Sequence, residues 1–232
     1  MAESSPTATP GVVRIAAVGD LHHARGGGQP YVAFLAQLER TADVLVLCGD
    51  LTDTGHPDEA QELAASLNQS VRIPIVAVLG NHDYEMGHED DVRRVLAAAG
   101  VTVLDGEACE VRGIGFAGVK GFAGGFGRGT LGPWGERAIK AFVQEAVNEA
   151  LKLETALARL RTTHRIAVMH YSPVAATAEG EPREIFPFIG CSRLEEPINR
   201  YPVTAVFHGH AHHGSPEGRT SAGVSVYNVS LP

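Results

Sequence analysis

The sequence predicts a single α/β domain, and three observations carry that expectation. Short apolar, β-branched runs alternate with helically patterned stretches, the rhythm of βαβα units. The runs are apolar throughout instead of alternating with polar residues, as strands covered on both faces require. No linker, repeat or low-complexity stretch divides the chain, and one α/β domain routinely reaches 232 residues.

The elements follow in order. Residues 1–10, "MAESSPTATP", have neither the basic start nor the apolar core of a signal peptide and read as a flexible tail ahead of a domain over 11–232. "VVRIAAVGD", "DVLVLCGD" and "IPIVAVLGN" read as strands, with "PYVAFLAQLER" and "PDEAQELAASLNQS" as the helices between them. "VTVLDGEACEVRGIGFAGV" is broken by glycine and predicts hairpins. Its "GIGFAG" (Gly113, Gly115, Gly118) opens no helix and is set aside as a dinucleotide fingerprint. The glycine-rich loop "KGFAGGFGRGTLGPWG" precedes a long helix over about 137–161. "HRIAVMHYSP" restores the strand pattern, "EGEPREIFPFIGCS" is irregular, and a short helix, "TAVFHGH" and "GVSVYNVS" complete the chain.

Composition narrows the function. The net charge of −8, from 19 basic against 27 acidic residues, argues against broad binding to nucleic acid or an anionic membrane. Cys48, Cys109 and Cys191 are odd in number and form no CxxC, so a reducing, cytoplasmic setting is expected. No apolar run approaches the roughly 18 residues of a membrane span.

Five of the apolar runs end in metal-type ligands. "AAVGDLHH" ends in Asp20 and His22, "LVLCGDLTD" in Asp50 and Asp53, and "VAVLGNHD" in Asn81, His82 and Asp83. "IAVMHYSP" ends in His170, and "AVFHGHAHH" in His208 and His210. Ligands of open α/β sheets bind beyond the carboxyl ends of the strands, so these residues are expected to converge. Imidazole and carboxylate without thiolate suit hard-to-borderline divalent cations. The donors are too many for one tetrahedral site and suit two ions sharing a carboxylate. Taken singly each has a bland reading: a turn at "GNHD", a helix cap at "GDLTD", a buried histidine at His170. Five strand ends carrying ligands together argue against it.

The ordered set "GDLH", "GDLTD", "GNHD", "MH" and "GHAH", spanning Asp20 to His210, resembles the calcineurin-like metallophosphoesterases. The resemblance implies a four-layer α-β-β-α sandwich of two mixed sheets, with a dinuclear metal site at the strand ends. It also implies that Asp20, His22, Asp50 and His210 hold one metal, and that Asp50 bridges to a second completed by Asn81, His170 and His208. His82 would assist the phosphoryl group, stabilising charge or protonating the leaving oxygen, and Asp53 would orient it. Two divalent or mixed-valence ions (Mn, Fe, Zn or Co, with Mn favoured) would activate a hydroxide for in-line attack on phosphorus. Ser172 lacks a GxSxG context and is not expected as a nucleophile.

Within that resemblance, "GNHD" lacks the preceding arginine of the protein serine/threonine phosphatases, and size and "GDLTDTG" resemble small bacterial phosphodiesterases. A small phosphodiester, such as a cyclic nucleotide, is therefore the expected substrate of a monomer or homodimer. Loops 120–135 and 174–192 are expected to cover the site, with Arg128, Trp134, Tyr171 and Arg183 as contacts. His23, His212 and His213 are expected in exposed or supporting roles. A phosphomonoesterase or nuclease of the same chemistry, and a non-catalytic protein-binding scaffold, are the alternatives.

Overall fold

The computed structural model describes residues 11–26, 31–35 and 37–232; the tail expected over 1–10 lies outside the described residues. Strands β1 (Ile15–Val18), β2 (Val44–Cys48), β3 (Ile75–Val78) and β4 (Val101–Val103) form a four-stranded sheet in that order. Strands β5 (Glu107–Val111), β6 (Ile114–Gly118), β7 (His164–Val168), β8 (Ala205–His208), β9 (Glu217–Arg219) and β10 (Ser225–Asn228) form a second sheet, ordered β5-β6-β7-β8-β10-β9. The second sheet is mixed, with antiparallel pairs at both edges. The first, where the resemblance implied another mixed sheet, is parallel throughout its described pairs.

Side-chain alternation along the strands builds the layers. On β2, Leu45 and Leu47 enter one core with helices α1 (Val32–Leu35), α2 (Leu38–Thr41), α3 (Pro57–Ser70) and α4 (Glu89–Ala98). Val44, Val46 and Cys48 point the other way, into a core between the sheets shared with Val76, Val78, Phe116, Ile166 and Val168. Beyond the second sheet, Ala117, Ala167, Met169 and Val206 pack on helix α5 (Arg137–Arg159), whose Leu153, Ala156 and Leu157 are fully buried. Both faces of each sheet are thus apolar, which is why the strand sequences read as continuous hydrophobic runs.

Local chemistry sets the element ends. His56 caps α3 by accepting the Asp58 N–H, Glu59 reaches back to the His56 N–H, and Pro57 takes the first helical position. The glycine-broken middle divides between the sheets. Its first piece, β4, pairs with β3 in parallel and is no hairpin arm; β5 and β6 do form the expected hairpin, turning through Arg112 and Gly113 at φ 55° and 77°. The helix expected over 137–161 ends at Arg159. Two short helices, α6 (Phe186–Ile189) and α7 (Glu195–Arg200), lie between β7 and β8.

Candidate metal centre

The polar residues lie at or just beyond the carboxyl ends of β1, β2, β3, β7 and β8. Among the described residues five non-glycines have positive φ. Four of them belong to this cluster: Asp20 (61°), His22 (43°), Asp50 (47°) and His210 (72°). Left-handed backbone is unfavourable for residues with a Cβ, and here it turns each side chain back over the strand ends. Main-chain bonds hold the turns: Asp20 N–H donates to Gly49 O (2.9 Å), His22 N–H to Asp50 O (3.0 Å) and Gly209 N–H to His170 O (3.1 Å). Three neighbouring glycines are needed for closeness; a Cβ on Gly49 would lie 2.6 Å from His170 Nδ1. A Cβ on Gly80 would lie 2.2 Å from Asp50 Oδ1 and 2.3 Å from its backbone nitrogen, and one on Gly209 would lie 2.5 Å from Asp20 Oδ2.

Three overlapping groups of donors result: Asp20, His22 and His212; His22, Asp50 and His82; and Asp50, His170 and His210, with the donor atoms in each within 4.8 Å of one another. Asp20 and Asp50 are buried. His170 Nε2 stands 3.4 Å from Asp50 Oδ2 and 2.9 Å from Asn81 Oδ1; His212 Nε2 stands 3.4 Å from Asp20 Oδ1; His22 Nε2 stands 3.9 Å from Asp50 Oδ2.

Backbone carbonyls select which ring nitrogen faces the cluster. His170 Nδ1–H donates to Cys48 O (2.9 Å), His212 Nδ1–H to Leu231 O (2.8 Å) and His210 Nε2–H to Phe188 O (3.1 Å). With Nδ1 committed to Cys48 O, His170 Nε2 is the nitrogen that faces Asp50 Oδ2 and Asn81 Oδ1. A cation or a proton must sit there. This oxygen–nitrogen donor set fits divalent metal ions.

The electrostatics agree. Burial favours protonating Asp50, yet the charge and hydrogen bond of His170, with the His82 N–H (2.8 Å), overcome it and hold the carboxyl below its usual range. Burial likewise opposes a charged His170, but the Asp50 carboxylate prevails and lifts it to about 9. Burial and then the charge of His170 press His210 down to about 3, and burial chiefly lowers His22. The centre retains one positive site among carboxylates and leaves His22 and His210 as neutral lone-pair donors.

Residues 13–214 match the family model described as calcineurin-like phosphoesterase. The chain belongs to the calcineurin-like phosphoesterase family. No curated relative matches it. Among solved structures it is similar to TT1561 of Thermus thermophilus, at TM-score 0.59 and 16% identity over 95% of this chain and 90% of that one. It is also similar to a putative 5'-nucleotidase from Staphylococcus aureus, solved in complex with alpha-ketoglutarate. That match has TM-score 0.57 and 17% identity, and covers 93% of this chain but 48% of that one. At such identities the likeness is one of fold. The family carries out metal-dependent phosphoester hydrolysis at a dinuclear centre, and the donor set of this calcineurin-like phosphoesterase fits that requirement.

The geometry differs from the expected arrangement at the last histidines and at Asp53. His208 ends β8 and is buried, but it joins none of the donor groups: Nε2 bonds to Thr177 Oγ1 (2.8 Å) and Nδ1 to Gly209 O (2.7 Å), so neither nitrogen is left for a cation. His212, expected only in support, instead stands with Asp20 and His22, while His210 moves to the Asp50–His170 group. Among the candidate donor groups the last two histidines are thus His210 and His212. A signal for this difference was present: glycine directly precedes Asp20, Asp50 and Asn81, and it directly precedes His210 but not His208.

Asp53 also differs. It orients His82 through its main-chain oxygen, which accepts from His82 Nδ1–H at 2.6 Å; its carboxylate lies 3.8 Å from His22 Nδ1. Asp83 is fully buried and accepts from Leu51 N–H, Thr52 N–H, Thr52 Oγ1–H and Gly80 N–H at 2.6–3.2 Å, tying the loop of Asp50 to that of Asn81. Of the four contact residues expected in the covering loops, Tyr171 reaches the cluster, its ring 4.5 Å from that of His210. Arg128 and Trp134 are exposed, and Arg183 pairs at 4.0 Å with Glu179. His23 is buried between Tyr31 and Glu62, and Ser172 bonds to Thr177 Oγ1 and Val174 O with no base beside it. Among the described residues no helix is long and apolar enough to cross a membrane.

Proposed function

We propose that this calcineurin-like phosphoesterase hydrolyses a small phosphodiester with two bound divalent ions. Asp20, His22, Asp50 and His212 would hold one; Asp50, Asn81, His170 and His210 would hold the other. When bound, such ions supply an activated hydroxide and neutralise charge growing on the phosphoryl oxygens. Manganese is favoured among Mn, Fe, Zn and Co because the donors are carboxylate, amide and imidazole without thiolate. The three unpaired thiols support a reducing, cytoplasmic setting.

His82 takes the proton-handling role. With Nδ1–H committed to the Asp53 carbonyl, Nε2 is the nitrogen free to give a proton to the leaving oxygen. The ring stands edge-on to His22 at 4.6 Å, beside the centre without being one of its proposed ligands.

The observation that carries the diester reading is a pair of recesses with largely apolar and aromatic walls. One, of about 470 Å³, opens beside Asp20 and His22 and is walled by Leu21, Tyr31, Phe34 and Leu231. The other, of about 360 Å³, opens beside Asn81 and is walled by Tyr84, Phe122 and Tyr171. A phosphodiester carries two ester substituents and a monoester one; two recesses against the two halves of the centre suit the former.

The test is hydrolysis of bis(p-nitrophenyl) phosphate against p-nitrophenyl phosphate, by protein stripped with chelator and resupplied with manganese. Metal-dependent preference for the diester is expected. Preference for the monoester makes the protein a phosphatase, and two bound ions with neither activity favour a scaffold. In the same assay His212→Ala should bind one manganese fewer and lose activity, whereas His208→Gln should retain both. The reverse pattern would return the assignment to His208 and His210.

A further inference from the structure

The recess beside Asn81 contains a cation that the proposed chemistry does not use. Lys120 is only 8% exposed, and its Nζ lies 4.9, 5.3 and 5.5 Å from the ring centres of Phe122, Tyr84 and Tyr171. It donates one hydrogen bond, to Gly121 O at 2.8 Å, and no carboxylate of the described residues lies within ion-pair distance. An ammonium has three N–H donors, so two are left facing an aromatic enclosure that offers them only ring faces. Burying a charge with so few partners is unfavourable unless something else supplies acceptors. Glu145 stands on the lining of the same recess and offers a carboxylate.

The recess also abuts the centre. Asn81 lines it, and the Tyr171 ring that walls it packs on His210 at 4.5 Å and on His170 at 5.5 Å. The backbone of Lys120 and Gly121 is fixed on either side: both His170 N–H and Tyr171 N–H bond to Lys120 O, and Gly121 N–H bonds to the buried Glu149 at 2.7 Å.

We propose that this recess is a nucleobase subsite, receiving the base of a nucleoside ester whose phosphoryl group lies at the centre. The assignment rests on the phosphodiesterase reading for where the phosphoryl group sits. Flat faces of Tyr84, Phe122 and Tyr171 suit a planar ring, since stacking on aromatic side chains is how bases are held without groove contacts. Lys120 donates to a ring nitrogen or exocyclic oxygen, and Glu145 accepts from an amino group or ring N–H. An alkyl group would leave the Lys120 donors unmet, and a bare sugar would leave the ring faces unmatched.

The experiment uses the full chain, metal-free, with adenosine and cytidine as probes and saturation-transfer NMR as readout. Base protons should receive more saturation than ribose protons. That signal should fall at least fivefold in Phe122→Leu and in Lys120→Met, and recover in Lys120→Arg. Thermal midpoints and manganese stoichiometry serve as folding controls for each variant. Saturation that is absent, confined to the ribose, or unchanged in both variants overturns the proposal. Loss in Phe122→Leu with full retention in Lys120→Met overturns it too, leaving a plain aromatic site. The two readings separate cleanly: diester hydrolysis without nucleoside binding refutes the subsite alone, and nucleoside binding without any hydrolysis refutes the enzyme alone.

Discussion

Removing the Asp83 carboxylate tests how the centre is held together. Asp83 is fully buried and reaches no substrate; its oxygens accept three backbone N–H groups and the Thr52 hydroxyl. In Asp83→Ala the N–H groups of Leu51, Thr52 and Gly80 lose their acceptor, and each buried donor left unpaired costs about 1–3 kcal/mol. The sum, at least about 3 kcal/mol, is a large share of the ~5–15 kcal/mol that stabilises a typical domain. Asp83→Asn is milder. Its amide oxygen can replace Oδ2 for Leu51 and Gly80, and its NH₂ can donate to Thr52 Oγ1, so the Thr52 N–H is stranded, at about 1–3 kcal/mol, and the Thr52 hydroxyl proton must turn away from its former acceptor. Urea unfolding of the metal-free variants, followed by far-UV circular dichroism, measures both. Because Asp83 aligns the loops of Asp50 and Asn81, manganese affinity should also fall by roughly 10–100-fold, the usual effect of losing a group that positions ligands. An alanine variant within about 1 kcal/mol of the parent, or an asparagine variant as damaged as alanine, would refute this account.

Two further outcomes follow from the same geometry. Asp53 holds His82 through its main-chain oxygen, so Asp53→Asn should reduce kcat by less than about tenfold, against roughly 10²–10⁴ for His82→Asn; equal losses would return the orienting role to the Asp53 carboxylate. Away from the site, Arg14 hydrogen-bonds to Asp43 and holds its carboxyl at about 2, below the ordinary 3.8. A depressed carboxylate stabilises the fold above its ordinary value and loses that contribution as pH falls towards 2, so Asp43→Asn should flatten the fall in urea midpoint between pH 4 and 2, and an unchanged slope would show the pair to be inert.

Much of the fold and of the candidate site was legible because the signals are local. Each strand is covered on both faces, so its sequence is a bare apolar run, and four of the ligand turns begin at a glycine, three of them where neighbouring groups leave no room for a Cβ. The pairing of β4 was not legible: "VTV" is short, alternates buried and exposed positions, and its parallel place beside β3 is decided by the sheet. The difference at the last histidine pair has a related reason. His208 and His210 both follow an apolar run, and a shift of two along a strand preserves the face, so periodicity cannot choose between them. What chooses is the partner of each ring nitrogen: Thr177 Oγ1 occupies His208, and Leu231 O turns the free nitrogen of His212 towards Asp20. Both partners are distant in sequence, which is why no local pattern announces them.

The four left-handed residues explain why the centre should survive without its metals. Each such position costs of the order of 1–3 kcal/mol and persists only where its surroundings over-determine it. Here the determinants are protein bonds: Gly49 O holds Asp20 N–H, Asp50 O holds His22 N–H, and the Asp20 carboxylate receives His210 N–H at 3.0 Å. Asp50 is fixed in turn through His82 N–H, and the next two residues through Asp83. None of these bonds passes through an ion. The strain is therefore borne by the lacing between loops, and metal binding meets donors already facing one another, with little ordering entropy left to lose. The same lacing makes the turns intolerant of exchange. Asp20 and Asp50 must combine a left-handed backbone with a carboxylate; glycine would satisfy the first requirement and abolish the second, while asparagine would keep the turn and remove the charge that draws the cation.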